Sequence, residues 1–361
     1  MSRYKDIIFL LGAGASAEAG IPMSQAMVEK IEEDLQQKEN WKKFYKLYNH
    51  IKSGIHYSAG LKGKFNKDIL YNIENLVSVL YELERNEEHP LYPFIASMNS
   101  RLLSLAGEEF QFVREFRKLI LERLKLWMSP EDSSRADYYK GLQQLQRSLM
   151  YPLHIFSLNY DLCVEHLSNP NFRIESGFES VGPNFPWDWE RFEEGETGPE
   201  PPQIYLYKLH GSINWKRDQN TKQLYCVDQI ASIESENMEL IFGRDFKVEA
   251  ADPYLFYLYA FRAATLNAKL IIAVGYGFGD GHINDMLAQA LRTDRTRKIL
   301  LIDYIQDQNV NMSLNKKNQQ LLNAEEEQII IENKGASAFF LKDELASFVK
   351  SLLPKDPNSP F

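Results

Sequence analysis

Cysteine is nearly missing from these 361 residues: Cys163 and Cys226 are the two present. Two thiols cannot build a disulfide framework or a four-cysteine zinc site. Their scarcity fits a reducing compartment, and the cytoplasm is the expected location. An excess of basic charge is missing too. Lys and Arg number 41 against 50 Asp and Glu, a net charge of −9, so strong direct nucleic-acid binding is not expected. Long apolar runs are also absent. The N-terminal stretch MSRYKDIIFLLGAG runs straight into a glycine loop, and neither a signal peptide nor a transmembrane helix is read there. The C-terminal DPNSPF carries no lipidation motif. No internal repeat and no long low-complexity tract is found.

What is present is ordinary globular material. Hydrophobic residues make up 44% and charged residues 25%, ample for a core. The length suits about two domains, or one large domain with an insertion. Strand signals fall at 7–11, 153–158, 204–209, 270–274, 298–302 and 328–331. Helical stretches at 161–167, 254–267 and 283–291 alternate with several of them, which argues for a parallel, doubly wound sheet. Residues 24–150 differ in character. Ile69, Ile73, Leu76, Leu80 and Leu83 share one helical face, and Val113, Phe116, Ile120, Leu124 and Trp127 share another. Pro130, preceded by Ser129, reads as a further helix start. The expected organisation is a Rossmann-like unit over 1–23 and 151–361, with 24–150 as a helical insertion. Residues 185–203, acidic and rich in Pro and Gly, read as a surface loop. The apolar faces and aromatics of the insertion suggest a homo-oligomer.

Four strand ends carry the chemistry. In LLGAGASAEAGIP, residues 10–22, Gly12, Gly14 and Ala17 fit G-x-G-x-x-G/A after a strand. That pattern permits a tight turn and close approach to a pyrophosphate; a plain connecting turn is the alternative. A nicotinamide dehydrogenase would next show a strand ending in an acidic residue, whereas this region is helical. In FSLNYDLCVEH, Asn159 and Asp161 lie just past a strand, where ligands bind in open sheets; helix capping is the alternative. In YLYKLHGSINW, His210 ends a strand as a candidate general base, or as a structural histidine. In LIIAVGYGFGDGHIND, a glycine loop with Gly275, Gly277, Gly279 and Gly281 leads into a helix. Asp303 ends the next strand, placed for an adenosine ribose or for a turn cap. Of the other histidines, His282 is the next candidate; His50, His56, His89, His154 and His166 read as surface or packing residues.

The four motifs in order, GAGAS–AGIP, LNYD, KLHGSINW and VGYGFGDGHIN, resemble the sirtuin fold. More narrowly they resemble bacterial sirtuin-like NAD-hydrolysing proteins of anti-phage defence. The resemblance covers about residues 1–25 and 150–335. It implies that Gly12, Ala13, Gly14, Ala15 and Ser16 cradle the NAD phosphates and that Ile21 and Pro22 shape the nicotinamide pocket. It places Asn159 at the nicotinamide ribose or a water, Asp161 at the carboxamide, and His210 as the base. Gly275, Tyr276 and Gly277 would face phosphate and ribose, and Asp303 the adenosine ribose. Two features depart from deacetylase sirtuins. Met23, Ser24 and Gln25 replace the usual Asp-Phe-Arg, and the zinc ribbon is missing. The resemblance therefore implies NAD glycohydrolysis with no metal and an NAD-depleting role in abortive infection. A protein deacylase, an ADP-ribosyltransferase or a non-catalytic NAD or ADP-ribose sensor is the alternative. It also implies a separately encoded HerA-type ATPase as partner.

Overall fold

The computed structural model describes residues 6–63, 71–85, 100–129, 132–197, 201–218, 220–234, 237–240, 252–304 and 317–354. Seven strands form a wholly parallel sheet: β1 (Ile7–Leu11), β2 (Leu153–Ser157), β3 (Ile174–Glu175), β4 (Ile204–Lys208), β8 (Leu270–Val274), β9 (Lys298–Asp303) and β10 (Ile329–Asn333). Their order is β10-β9-β8-β1-β2-β4-β3. A small antiparallel sheet of β5 (Gly211–Arg217), β6 (Leu224–Cys226) and β7 (Met238–Leu240) follows β4. This is the Rossmann-like parallel sheet that the strand signals predict.

The alternation within each strand explains why the sheet is covered on both faces. Ile7, Phe9 and Leu11 of β1 join Leu153, Ile155, Leu270 and Ile272 in one core, while Ile8 and Leu10 join Phe156, Ile271 and Ala273 in another. Such strands read as continuous apolar runs because neither face meets water. Helices Tyr254–Asn267 and Gly281–Thr293 cover the second face through Tyr257, Phe261, Leu287 and Leu291.

The first face is covered by the helical segment between β1 and β2. Its helices include Ser24–Gln37, Tyr45–Leu61, Ile73–Arg85, Gln111–Met128 and Lys140–Leu149. Both helical faces read from the sequence are buried there: Ile73, Leu76 and Leu80, then Val113, Phe116, Ile120 and Leu124. Ile69 lies outside the described residues. These side chains share one continuous core with β1 and β2, so the apolar faces behind the oligomer expectation are covered within the chain. Two C-terminal helices, Ala336–Phe340 and Leu345–Ser351, complete this layer; the sequence reading does not single them out.

Two local expectations change, and a third cannot be placed. Residues 161–167 are not a helix but a loop with one 3-10 turn, Glu165–Leu167. Carbonyls that a helix needs are engaged elsewhere: Ile213 N–H donates to the Tyr160 carbonyl and Lys208 Nζ to that of Asp161. The stretch 185–203 is not all loop, because Glu190–Thr197 is helical. Asp188 accepts from the Glu190 N–H at its start, and Phe192 is fully buried against Tyr207. Pro130 lies outside the described residues; the next helical turn, Ser133–Tyr139, starts at Asp132, which accepts from the Ser134 N–H.

Candidate functional site

From β1 the chain passes to β2 on one side, and later returns to β8 on the other. The carboxyl ends of β1 and β8 are thus the topological switch point, where open α/β sheets leave a crevice for ligands. All four sequence motifs end at this edge.

The two glycine loops are built against each other. Gly12 N–H donates to the Val274 carbonyl and Gly14 N–H to that of Gly275, each at 3.0 Å. A methyl group on Gly12 would lie 2.5 Å from the Gly275 carbonyl oxygen, and one on Gly14 2.7 Å from the Gly275 Cα. Gly275 has φ +60° and is packed equally tightly on Gly14 and Ala15. These three glycines therefore serve loop-to-loop packing. The solvent side of the turn is formed by exposed Ala13 and half-buried Gly14, while Ala15 and Ser16 are buried. Ile21 is buried and Pro22 half-buried at the end of the segment.

Ser16 and Asn159 lock together. Asn159 Nδ2 donates to the Gly12 carbonyl at 2.9 Å and to Ser16 Oγ at 3.1 Å. The Ser16 hydroxyl also meets Tyr139 Oη at 3.1 Å, and the Tyr138 hydroxyl donates to the Ala15 carbonyl. The helical segment thus pins the glycine turn from one side while β2 pins it from the other.

Asp161 is 4% exposed. Its Oδ1 accepts from the Cys163 N–H at 3.0 Å, whereas its buried Oδ2 meets no donor. A buried carboxylate oxygen without a donor is costly. The loop is held from below by Lys208, which is 2% exposed. Lys208 donates to the Asp161 carbonyl and pairs with Glu165 at 3.2 Å. Burial pushes the Glu165 carboxyl up, against the lowering charge of Lys208.

His210 Nε2 lies 3.1 Å from Asp280 Oδ2. Asp280 also caps helix Gly281–Thr293, accepting through Oδ1 from the His282 and Ile283 N–H groups. The start of that helix therefore receives a carboxylate of the protein itself rather than a phosphate. Burial opposes ionisation of Asp280, but the hydrogen bond and charge of His210, with the two backbone donors, outweigh it and hold its pKa low. A carboxylate fixed by a helix cap thus orients the imidazole. Tyr160, between Asn159 and Asp161, stands 6.3 Å from His210 ring to ring.

Across β8 a solvent-open cleft of roughly 460 Å³ is lined by Tyr276, Gly277, Phe278, Ile302, Asp303 and Asn318, among others. Gly277 is exposed, and a methyl group there would meet nothing within 4 Å. Asp303 ends β9 beside it; the residue as a whole is exposed, while desolvation by the surrounding protein pushes its carboxyl up. Tyr276 directs its hydroxyl inward to Asn284 at 2.8 Å, so its ring lines the cleft while its polar end is engaged.

The structure thus brings Asn159, Asp161 and His210 to one side of the β1–β8 junction and Gly277 and Asp303 to the other. His282 is exposed on the adjoining helix; His154 is a packing residue stacked 4.9 Å from Tyr205; His89 lies outside the described residues. Sequence reasoning missed Asp280, Lys208 and Glu165. For Asp280 a signal existed, since an Asp just ahead of an apolar-periodic helix is an N-cap pattern. The Lys208–Glu165 pair joins residues 43 apart and left no local trace. Among the described residues, no three or more His, Cys, Asp or Glu form a group able to hold a metal, and no helix is long and apolar enough to cross a membrane.

Residues 153–330 match the SIR2-like domain family, and over that stretch, which holds three of the four motifs, the chain is sirtuin-like. Among solved structures it is similar to a Sir2 homologue in complex with NAD (15% identity, 96% of this chain and 90% of that one covered, TM-score 0.41). It is also similar to a serine-to-alanine variant of a Sir2 homologue in complex with ADP-ribose (14% identity, 96% and 92% covered, TM-score 0.40). No curated protein matches the sequence.

Proposed function

We propose that the chain is an NAD glycohydrolase, converting NAD and water to nicotinamide and ADP-ribose. The observation that carries this reading is the unmet, buried Oδ2 of Asp161, a residue just past β2 on the sheet edge that also holds His210 and the two glycine loops. A carboxamide N–H2 is the donor such an atom needs. With nicotinamide at Asp161, the rest of the dinucleotide crosses the switch point. Its phosphates pass Ala13 and Gly14, and its adenosine ribose enters the cleft of Gly277 and Asp303.

In this arrangement His210, oriented by Asp280, draws a proton from the attacking water or ribose hydroxyl. The buried carboxylates stabilise the positive charge that develops on the ribose as the N-glycosidic bond breaks. Asn159 fixes the distance between the β2 end and the glycine turn, so its part is positioning. The chemistry asks for no metal. Met23, Ser24 and Gln25, in place of a peptide-associated Asp-Phe-Arg, favour water as the acceptor over an acyl-lysine.

The wider role proposed is depletion of NAD in bacterial anti-phage defence, within the cytoplasm. An enzyme that destroys NAD must be held silent, which motivates control by assembly: a homo-oligomer working with a separately encoded HerA-type ATPase. The test is incubation with NAD, alone and with the product of the neighbouring gene, reading nicotinamide. Release of nicotinamide that His210→Ala abolishes supports the reading. Tight ADP-ribose binding with no turnover in either condition replaces it with a nucleotide sensor.

A further inference from the structure

Lys208 is a buried cation to which the hydrolysis scheme gives no duty. It ends β4, two residues before His210, and is 2% exposed. Its Nζ donates to the Asp161 carbonyl and pairs with Glu165 Oε1 at 3.2 Å. The residues that follow hold the neighbouring carbonyl. Ile213 N–H donates to that of Tyr160 at 3.0 Å, and Ser212 Oγ donates to it at 3.4 Å. One short run, 208–213, therefore carries His210 and also grips the loop of Asn159 and Asp161 by its backbone.

A buried ion pair is a poor source of stability. Desolvation of both charges offsets their attraction, and apolar side chains of similar size often serve as well. Lys208 does something an apolar side chain cannot, because it takes up a carbonyl. In a helix over 161–167 the Asp161 carbonyl would accept from the Glu165 N–H, four residues on. With Lys208 on that carbonyl and on the Glu165 carboxylate, the segment stays a loop as far as the 3-10 turn Glu165–Leu167. Asp161, itself buried, then keeps one carboxylate oxygen on the Cys163 N–H and the other without a donor.

We propose that Lys208, braced by Glu165, is a positioning residue for NAD: it fixes where the Asp161 carboxylate stands at the nicotinamide end of the site. This rests on the glycohydrolase reading, in which Asp161 receives the carboxamide. Lys208 acts through the backbone of Asp161 and takes no part in bond breaking. Its loss should weaken recognition of NAD and leave the His210–Asp280 pair, 3.1 Å apart, as it is. The phosphates and adenosine ribose are held by the glycine turn and the cleft across β8, so binding of ADP-ribose should depend little on Lys208.

Two measurements on the full-length protein test this. In the first, NAD and ADP-ribose binding are read by calorimetry in the His210→Ala background, where NAD is not consumed. Lys208→Met is expected to weaken NAD at least about tenfold and ADP-ribose hardly at all, and Lys208→Arg should recover part of the loss. In the Asp161→Asn background Lys208→Met should add little, because both act on one contact. In the second, nicotinamide release is recorded with His210 in place. Lys208→Met should raise KM for NAD, keep kcat within a few-fold and leave the pH profile unmoved. The control is Lys125→Met. Lys125 is another buried lysine that donates to a carbonyl, that of Ile233, and pairs with a glutamate, Glu122 at 3.1 Å. Its loss should lower the thermal transition and leave KM at the wild-type value. If Lys208→Met does not fold, Glu165→Gln, which keeps the lysine and removes its brace, is read for the same split. A lowered kcat with unchanged KM, or losses that add in full with Asp161→Asn, overturns positioning and leaves a stability role. No nicotinamide from the wild-type protein overturns the hydrolysis reading, and the binding comparison still decides the role of Lys208. No NAD binding by protein that carries Lys208 overturns both.

Discussion

At the scale of the residue, neighbouring polar groups of the site have different duties, and substitution should separate them. Asn159 directs its amide donor to the Gly12 carbonyl and Ser16 hydroxyl. Asn159→Ala leaves both buried groups short of a donor, which costs about 1–3 kcal/mol. A lowered thermal transition should accompany its loss of turnover. Asp161→Asn keeps the shape and an acceptor for the Cys163 N–H, yet spoils the unmet oxygen. Unchanged melting with NAD binding weakened at least about tenfold by calorimetry is expected. Asp280 has two duties, and Asn performs one of them. Asp280→Asn still caps the helix and should melt close to wild type, while Asp280→Ala loses about 1 kcal/mol of cap. The sign of its pH dependence follows from its lowered pKa. The ionised-state contribution is present above the unfolded value of about 3.9 and is lost as pH falls through the folded value. The melting gap between wild type and Asp280→Ala should therefore be full near neutrality and shrink in acid.

At the scale of the element, two glycines of similar appearance in the sequence part company. Gly12→Ala would drive a methyl group to 2.5 Å from a backbone oxygen of the other loop. Backbone cannot swing aside there, so the variant should be strongly destabilised or fail to fold. Gly277→Ala meets open space, so its thermal transition should hold, while a ligand crossing the cleft should bind more weakly. Equal melting of the two variants would contradict the packing account. The same elements mark what a sequence can tell. Six of the seven strands of the parallel sheet were legible because each is an apolar run closed by a polar or glycine residue, and the edge they define follows from their parallel order; the two-residue β3 was not. Asn159, Asp161 and His210 were legible as polar residues at strand ends. The small β5–β7 sheet was not, since β6 and β7 have three residues each and Gly211–Arg217 lacks a clean alternation. Nor was the role of Gly12 and Gly14, whose partner Gly275 lies some 260 residues away.

At the scale of the whole molecule, the helical segment and the parallel sheet share one core, from Phe9 and Ile155 to Leu76 and Phe116. Removing residues 24–150 would bare one full face of the sheet, and the remainder should aggregate rather than retain a cooperative thermal transition. The same sharing brings Tyr138 and Tyr139 onto the glycine turn. A partner that shifts the helical segment would thus act on the site through direct contacts, without a long relay. The most direct test of the account is a balance of products. NAD is incubated with the wild-type protein, with and without the neighbouring gene's product, and nicotinamide and ADP-ribose are quantified against His210→Ala. The account predicts equal amounts of both products in at least one wild-type condition, and none from a folded His210→Ala variant. NAD that stays intact in every condition, or a variant that hydrolyses it at the wild-type rate, would contradict the assignment of the site.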